Sequence, residues 1–282
     1  METQISKIEL LSVSPEAHEA CLRGEQIFGD TLESADLETW FKAEEEGFAE
    51  LYKVGSADYE YCYFALDRFH AFSKLLKSGR RFQSLCAIGA ARGDEIVPLL
   101  PIVDQIVLIE PSSTGGAALP AEKFRRVAPK ADGSLDLPDA SQDLLLCLSV
   151  LHHIPRVTHT LNELARVAMP GAVLLLREPI ISLGDWRHPR AGLTPYERGI
   201  PGPLLRAGLA KAGFVIEYWA PVAFPFTRRI GNALGFSAYN VLPLVWLDGL
   251  LSKLTYWNLR YHAVTPWQKI RPNAVYIVAR KV

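Results

Sequence analysis

The sequence predicts an α/β protein with a mostly parallel seven-stranded sheet and helices on both of its faces. The chain has 282 residues, of which 49% are hydrophobic and 22% charged, a composition typical of a folded globular protein. Between residues 82 and 180, five short apolar runs alternate with segments long enough for a helix, which is typical of parallel strands buried on both faces. Two further apolar runs near the C-terminus complete the predicted sheet. In chain order, the predicted strands are 84–88, 105–109, 124–127, 144–150, 172–176, 214–219 and 274–279.

Helical segments precede the sheet and form a predicted N-terminal helical cap, residues 1–80. One helix is expected to begin at Asp36 and a second to run from about Asp58 to Lys77. The apolar residues of the second helix recur close to the 3.6-residue period of an amphipathic helix. Gly79 then marks its end.

Residues 81–282 form the predicted sheet domain, which carries two elaborations. An irregular polar stretch, 182–202, follows the fifth strand and is the expected active-site loop. The aromatic-rich segment 221–270 separates the last two strands and is far longer than a hairpin needs, so we predict a helical insertion that acts as a lid. Alternatively, residues 224–254 could contact a membrane surface.

A turn of small residues follows the first strand. Glycine or alanine directly after a strand lets the backbone approach a ligand closely, and glycine adopts turn conformations at little cost. We expect Asp94 and Glu95 to lie in the first turn of the following helix, where carboxylates suit the positive end of the helix dipole. The residues of the turn predicted to bind a cofactor are Gly89, Ala90, Ala91 and Gly93.

The second predicted strand ends in an acidic residue, Glu110, which follows Gly89 by 21 positions. A carboxylate at the carboxyl end of this strand can accept hydrogen bonds from both ribose hydroxyls of a nucleoside. We therefore predict that Glu110, with its neighbours Pro111 and Ser112, binds a nucleoside. A helix-capping role for Glu110 is the alternative.

Three blocks of sequence lie around the fourth and fifth predicted strands. Residues 135–143 read Leu-Asp-Leu-Pro-Asp-Ala-Ser-Gln-Asp, residues 151–153 read Leu-His-His, and residues 166–171 read Arg-Val-Ala-Met-Pro-Gly. Their order and register resemble the class I S-adenosylmethionine-dependent methyltransferases, in particular the type 11 small-molecule group. The resemblance covers roughly residues 82–180, about a third of the chain.

This resemblance implies a Rossmann-like fold and S-adenosylmethionine as the cofactor. It implies that residues 89–93 wrap the methionine part of the cofactor, that Glu110 holds the ribose, and that Asp132 or Gly133 lies beside the adenine. It also implies that the segment from Ser149 to His153 borders the methyl-transfer channel.

Two positions depart from the family pattern. The family usually has an acidic residue two positions before the first glycine and a second glycine two positions after it, whereas this chain has Ala87 and Ala91. A catalytically silent cofactor-binding or scaffold protein therefore stays open as an alternative. A second alternative, an NAD-dependent oxidoreductase, would be expected to show three glycines in the turn, and it would not predict the blocks at 151–153 and 166–171.

The predicted activity is methyl transfer to a small molecule, with a hydroxyl as the favoured acceptor group. Such an acceptor loses a proton, and histidine titrates in the range that suits this task. We expect His153, or else His152, to be the general base, although His152 could instead pack or cap the next helix. No third ligand is evident at a suitable spacing, so we expect no bound metal ion.

The charges of the chain are unevenly distributed. Residues 1–60 carry 15 acidic and 4 basic side chains, whereas residues 183–282 carry 4 acidic and 13 basic ones. Either the two ends pack against each other, or the basic region meets an anionic acceptor such as a phosphorylated or carboxylated sugar derivative or natural-product intermediate. The predicted substrate-binding residues, all in the loop after the fifth strand, are Asp185, Arg187, His188 and Arg190.

Other partners are not expected from this sequence. Its basic residues are scattered rather than clustered, which disfavours nucleic acid. It shows no signal-peptide pattern and no apolar run long enough to cross a bilayer, so we expect a cytoplasmic protein without stable membrane insertion.

Overall fold

A single seven-stranded sheet forms the centre of the protein in the computed structural model, which describes residues 13–52, 61–112 and 115–282. Its strands are β1 (Phe82–Ile88), β2 (Val103–Ile109), β3 (Phe124–Val127), β4 (Gln142–Leu148), β5 (Ala168–Pro179), β6 (Phe214–Val222) and β7 (Ala274–Lys281). They lie in the order β3-β2-β1-β4-β5-β7-β6. Neighbours from β3 to β5 are parallel, and β7 runs antiparallel to both β5 and β6. The predicted fold class is confirmed.

The central strands are buried on both faces, which is why they appear in the sequence as nearly continuous apolar runs. Along β1, Cys86 and Ile88 belong to one hydrophobic core, whereas Leu85 and Ala87 belong to the other. This alternation follows from the two-residue period of a strand.

Helices cover both faces of the sheet. They are α1 (Pro15–Leu22), α2 (Ser34–Tyr52), α3 (Phe64–Asp67), α4 (Ser73–Lys77), α5 (Val157–Val167), α6 (Gly202–Lys211), α7 (Pro225–Leu234) and α8 (Leu242–Leu254). A π-helical segment, Arg68–Phe72, joins α3 to α4. Helices α5 and α6 supply residues to the core on one face, and α3 and α8 supply residues to the core on the other. The start of the predicted second helix, 58–60, lies outside the described residues.

The segment between β1 and β2 differs from the prediction. Asp94 and Glu95 do not lie in the first turn of an α-helix, because a turn follows β1 and leads into a 3₁₀-helix, Val97–Ile102. Pro98 and Pro101 explain the difference, since proline lacks the N–H group that an α-helix needs and its ring clashes with the preceding turn.

The helical cap docks onto the loop that follows β5. Phe28 stacks on Trp186 with ring centroids 4.8 Å apart, and Trp40 stacks on Tyr196 at 5.0 Å. The fully buried Arg198 donates hydrogen bonds to a backbone carbonyl of the cap and to two carbonyls of the segment after β4. The N-terminal region is therefore positioned against the carboxyl edge of the sheet.

The insertion between β6 and β7 is helical, as predicted, and contains α7 and α8. It packs against α3 and β6. The buried carboxylate of Asp248 accepts hydrogen bonds from the amides of Ala223 and Phe224 and so ties α8 to the start of the insertion. Among the helices of the described segments, none has the length and apolar character needed to span a bilayer.

Candidate active site

A cavity of about 550 Å³ opens at the carboxyl edge of the sheet. There the carboxyl ends of β1 and β4 lie side by side, at the point where the chain crosses from one half of the sheet to the other. Ligands of open α/β sheets bind in the crevice at this position, and the volume is within the range of small-molecule sites. The wall is built by the turn after β1, the end of β2, the segments 129–135 and 149–155, and helix α2.

Part of the predicted site lies in this wall. The predicted residues that line the cavity are Gly89, Glu110, Pro111, Ser112, Gly133, Ser149 and His153. Predicted cofactor or catalytic residues outside the described wall are Ala90, Ala91, Gly93, Asp132 and His152. The wall also contains polar residues that the sequence argument did not single out, among them Glu44, Glu45 and Lys130. Of the residues described for the predicted lid, 221–270, none lines the cavity.

Glu110 joins the turn after β1 to the end of β2. Its side chain is 4% exposed, and its Oε2 accepts a hydrogen bond from the Ala91 amide at 2.9 Å. Its Oε1 accepts a bond from the Ser112 amide at 3.2 Å. Burial raises the pKa of Glu110, and the two amide hydrogen bonds oppose that effect. Because each carboxylate oxygen can accept more than one hydrogen bond, the group that fixes the turn can also bind hydroxyls.

The glycines of the turn are required by contacts within the protein. Gly89 has a φ of +63°, and a Cβ atom there would lie 2.8 Å from the methyl groups of Val150. Gly93 has a φ of +83° and is covered by Leu119, which a Cβ would approach to 2.7 Å. Ala91 has a φ of +43°, in the left-handed region that favours glycine. The side chain of Val150 thus occupies the space beside Gly89, where a ligand was expected to approach the backbone closely.

Gly133 and Asp132 lie on a turn at the far side of the cavity. Gly133 contributes to the wall, with a φ of +82°. Asp132 accepts hydrogen bonds from the amide and the hydroxyl of Ser134, both at 2.9 Å. Partial burial raises the pKa of Asp132, but the hydrogen bonds from Ser134 outweigh it and the net pKa is lowered. Asp132 therefore stabilises the turn that presents Gly133.

A fully buried carboxylate, Glu178 at the end of β5, positions the segment after β4. It accepts hydrogen bonds from the amides of Val150 and Leu151, both at 2.8 Å. It is also bonded to Nδ1 of His152 at 2.7 Å. The other ring nitrogen of His152 lies 3.7 Å from a carboxylate oxygen of Glu197. This geometry gives His152 a packing role beneath the cavity wall.

His153 lies in the wall and is held by a carboxylate of α2. Its Nδ1 is 2.7 Å from Oε2 of Glu44, and the same oxygen accepts a hydrogen bond from the Thr194 hydroxyl. The other carboxylate oxygen of Glu44, Oε1, accepts a hydrogen bond from the Tyr196 amide at 2.9 Å. Burial lowers the pKa of His153, but the hydrogen bond to Glu44 and the charges of nearby carboxylates outweigh burial, so the net pKa is raised. The sequence could not reveal this partner, because 109 positions separate the two residues.

The two histidines also approach a third group with metal-binding chemistry. His152, His153 and Glu197 each offer a ligand atom, and these atoms lie within 4.8 Å of one another. Imidazole and carboxylate are ligands for zinc and other transition metals. The third donor that the sequence spacing did not reveal is thus present in space.

The loop after β5 is held by its own arginines. Arg187 pairs with Asp185 at 2.6 Å and with Glu19 of the cap at 3.0 Å. His188 is exposed, and its amide donates to the Asp185 carbonyl. The Arg190 guanidinium donates to backbone carbonyls of four loop residues, namely Leu183, Thr194, Pro195 and Glu197. Absent from the described residues that line the cavity are the four predicted substrate residues, namely Asp185, Arg187, His188 and Arg190.

A buried ion pair supports the cavity wall from the opposite face of the sheet. Arg177 of β5 bonds Asp67 of α3 at 2.6 Å and donates to the Ser149 hydroxyl at 3.0 Å. Its guanidinium also lies 3.9 Å from the ring centre of Tyr63. Ser149 lines the cavity with a φ of +65°. The charge pair therefore holds a cavity residue in an uncommon backbone conformation.

Comparisons with known proteins agree with this architecture. Residues 87–176 match the family model described as a methyltransferase domain of type 11. An S-adenosylmethionine-dependent methyltransferase from Mesorhizobium loti has a similar structure, with a TM-score of 0.51, 15% identity, and coverage of 75% of this chain and 96% of that one. The cyclase SpnF is also similar, with a TM-score of 0.52, 17% identity, and coverage of 86% and 94%. None of the curated proteins matches the chain.

The structural matches and the family match support different conclusions. At these identities the solved structures establish the fold, and the family model covers the strands and turns that build the cavity. The chain therefore has the Rossmann-like fold of these structures, and its residues 87–176 resemble the methyltransferase domain family.

Proposed function

We propose that this protein transfers the methyl group of S-adenosylmethionine to a hydroxyl of a small molecule bound in the cavity beside His153. The observation that carries the proposal is the position of Glu110, a buried carboxylate in the cavity wall that also holds the Ala91 amide of the turn. Glu110 thereby links the turn after β1 to the carboxyl end of β2, the two features on which nucleoside binding in this fold depends.

The residues of the cavity wall fit the nucleoside part of the cofactor. Glu110 has acceptor capacity for two neighbouring hydroxyls, and Gly133 and Leu135 offer a backbone and an apolar surface to a base. At the amino-acid end, Ala87 is fully buried and brings no carboxylate. The Ser149 hydroxyl, held by Arg177, is a polar group of the wall that can substitute there.

When bound, S-adenosylmethionine supplies an electrophilic methyl group that is transferred by in-line displacement. The cavity holds the acceptor in line and excludes water. In this proposal the imidazole of His153 accepts the proton of the acceptor hydroxyl. Glu44 orients the ring through Nδ1 and stabilises the imidazolium that forms.

The acceptor class follows from the composition of the wall. A cavity of about 550 Å³ suits a small molecule, and the partly exposed Phe41 gives its wall an aromatic surface. Glu44 and Glu45 can bind hydroxyl groups, and Lys130 can bind an anionic substituent. We propose a polyhydroxylated acceptor, such as a sugar derivative or a natural-product intermediate, in a neutral or anionic form.

We further propose that the site works without a bound metal ion. His152 and His153 already have hydrogen-bond partners in Glu178 and Glu44, and the proton-transfer role of His153 needs no metal. Elemental analysis of the purified protein, with rates measured before and after chelation, tests this. Stoichiometric zinc that is required for turnover would replace the proton-transfer mechanism by metal activation of the acceptor.

The test of the activity has two stages. Calorimetry with S-adenosylmethionine and with its demethylated product measures cofactor binding. A panel of hydroxylated compounds, neutral and phosphorylated, is then screened for release of the demethylated product. We expect His153→Gln to lower turnover by about 10²–10⁴-fold and the exposed control His188→Gln to leave turnover unchanged. Equal rates for the two variants would remove the assignment of His153.

A cofactor-binding protein without methyl-transfer activity is the second candidate. Two observations favour it, namely Ala87 in β1 with Ala91 in the turn that follows, and the likeness to SpnF, a neighbour described as a cyclase. A fold does not determine a reaction. Tight binding of S-adenosylmethionine with no methyl release from any compound of the panel would favour this candidate. Binding of NAD in place of S-adenosylmethionine would instead favour an oxidoreductase.

A further inference from the structure

The outer face of α8 is apolar, although it faces solvent. Val245, Asp248 and Ser252 form the buried side of this helix. Large apolar residues recur every four positions on the other, exposed side, namely Leu242, Trp246, Leu250 and Leu254, and the exposed Lys253 lies among them. A surface helix normally presents charged or polar residues on that side. An apolar stripe along three turns of an already packed helix indicates a second contact surface.

Two exposed tryptophans follow α8 along the chain. Trp257, in the short 3₁₀-helix that follows, is 84% exposed, and Trp267 is 79% exposed. The two lie close together, because the Asn258 side chain donates hydrogen bonds to the backbone carbonyls of Trp267 and Ile270. We call the six residues Leu242, Trp246, Leu250, Leu254, Trp257 and Trp267 the insertion stripe.

The exposed charges of the insertion, 221–270, have one sign. In the segment 221–270 the sequence has one acidic residue, Asp248, which is fully buried. The exposed charged residues of the segment are all cationic, namely Arg228, Arg229, Lys253, Arg260 and Lys269. Large apolar side chains and tryptophans beside Lys and Arg are typical of segments that lie in the interface of an anionic bilayer.

The same charges argue against a second copy of the chain as the occupant. In a twofold interface the same patch meets itself, so the cations of one stripe would face the cations of the other. A negatively charged lipid surface satisfies both properties of the stripe. The apolar side chains enter the headgroup region, and the cations contact the lipid phosphates.

We propose that the insertion stripe attaches the protein peripherally to anionic membranes. The attachment lies on the surface of the bilayer and does not span it. The segment predicted as a lid is then an anchor, which agrees with the absence of residues 221–270 from the described wall of the cavity. The proposal does not depend on the reaction, because no residue of the stripe lines the site.

Vesicle flotation with the full chain tests the proposal. We expect the protein to float with vesicles of equal parts phosphatidylcholine and phosphatidylglycerol and to remain unbound with phosphatidylcholine alone. The double variant Trp246→Glu and Leu250→Glu is expected to lose about tenfold or more of its affinity for the anionic vesicles. Both positions are exposed, so the fold should be preserved, and circular dichroism verifies this.

The control is Val215→Glu, which places the same charge on an exposed apolar position near the start of β6, at the opposite end of that strand from the insertion. It should bind vesicles as the unmodified protein does. The proposal is overturned if the unmodified chain fails to float with anionic vesicles, or if Val215→Glu weakens binding as much as the double variant. It is also overturned if light scattering shows a dimer that the double variant dissociates, because the stripe is then an interface between copies.

Discussion

Replacement of Glu44 by Gln is the most informative perturbation of the proposed proton acceptor. The substitution preserves the size of the side chain and one acceptor oxygen, and it removes the negative charge 2.7 Å from Nδ1 of His153. In the native protein this contact offsets the lowering of the His153 pKa by burial. Without the charge, burial dominates and the pKa should fall.

The expected shift follows from the strength of the contact. A hydrogen bond to a charged group contributes about 1.5–3 kcal/mol. Its loss should lower the pKa of His153 from its raised value, in the direction that burial favours. If neutral His153 is the base, the acid limb of the rate profile should move to lower pH in the same direction.

The pKa can be measured without knowledge of the acceptor. Imidazole proton–nitrogen correlation spectra recorded across the pH range report each of the 7 histidines, and His153→Gln identifies the signal of interest. The matched control is Glu45→Gln, because Glu45 is the next residue of α2, lines the same cavity and is exposed. An unchanged pKa in Glu44→Gln, or an equal shift in Glu45→Gln, would refute the account of the His153–Glu44 pair.

Three further substitutions test the structural part of the account. Arg190→Gln should lower the free energy of unfolding by about 1–3 kcal/mol in denaturant titrations, because the loop carbonyls bound by its guanidinium lose their donor. The exposed control Arg187→Gln should change the free energy of unfolding by less than about 0.5 kcal/mol. Equal effects of the two substitutions would contradict the structural role of Arg190. Gly89→Ala should cost about 1–3 kcal/mol, since φ is +63° and the new Cβ would press on Val150, and an unchanged denaturation midpoint would show that the turn is not so constrained. Burial raises the pKa of Glu95 to about 8, so the folded protein holds this carboxyl protonated and loses stability as the pH rises toward about 8. Glu95→Gln should remove that loss of stability in unfolding curves recorded at several pH values. A parallel decline in both proteins would exclude Glu95 as the source of the loss.

The sequence predicted the sheet well because burial on both faces leaves a direct record in the chain. Each of the seven strands coincides with a predicted apolar run within a few residues. The prediction of an α-helix between β1 and β2 was wrong for a local reason, because Pro98 and Pro101 disfavour an α-helix there. Proline positions could have corrected this from the sequence alone.

The site was predictable only where it follows strand ends. Gly89, Glu110 and His153, which line the cavity, were predicted because each follows the end of a strand whose place in the sheet could be inferred. Glu44 was not found, because it approaches His153 only after the helical cap has docked. Arg190 was predicted to bind substrate because its charge is visible in the sequence, whereas its partners are backbone carbonyls, which a sequence does not reveal.

The central claim is that Glu110 and the turn after β1 together bind the adenosine part of S-adenosylmethionine. Calorimetric titration of the cofactor into the unmodified protein, Glu110→Gln and the control Glu45→Gln tests it most directly. Loss of charge-assisted hydrogen bonds worth about 1.5–3 kcal/mol should weaken binding by about 10–150-fold in Glu110→Gln, whereas Glu45→Gln should bind as the unmodified protein does. No binding heat with the unmodified protein, or equal affinity in Glu110→Gln, would contradict the claim.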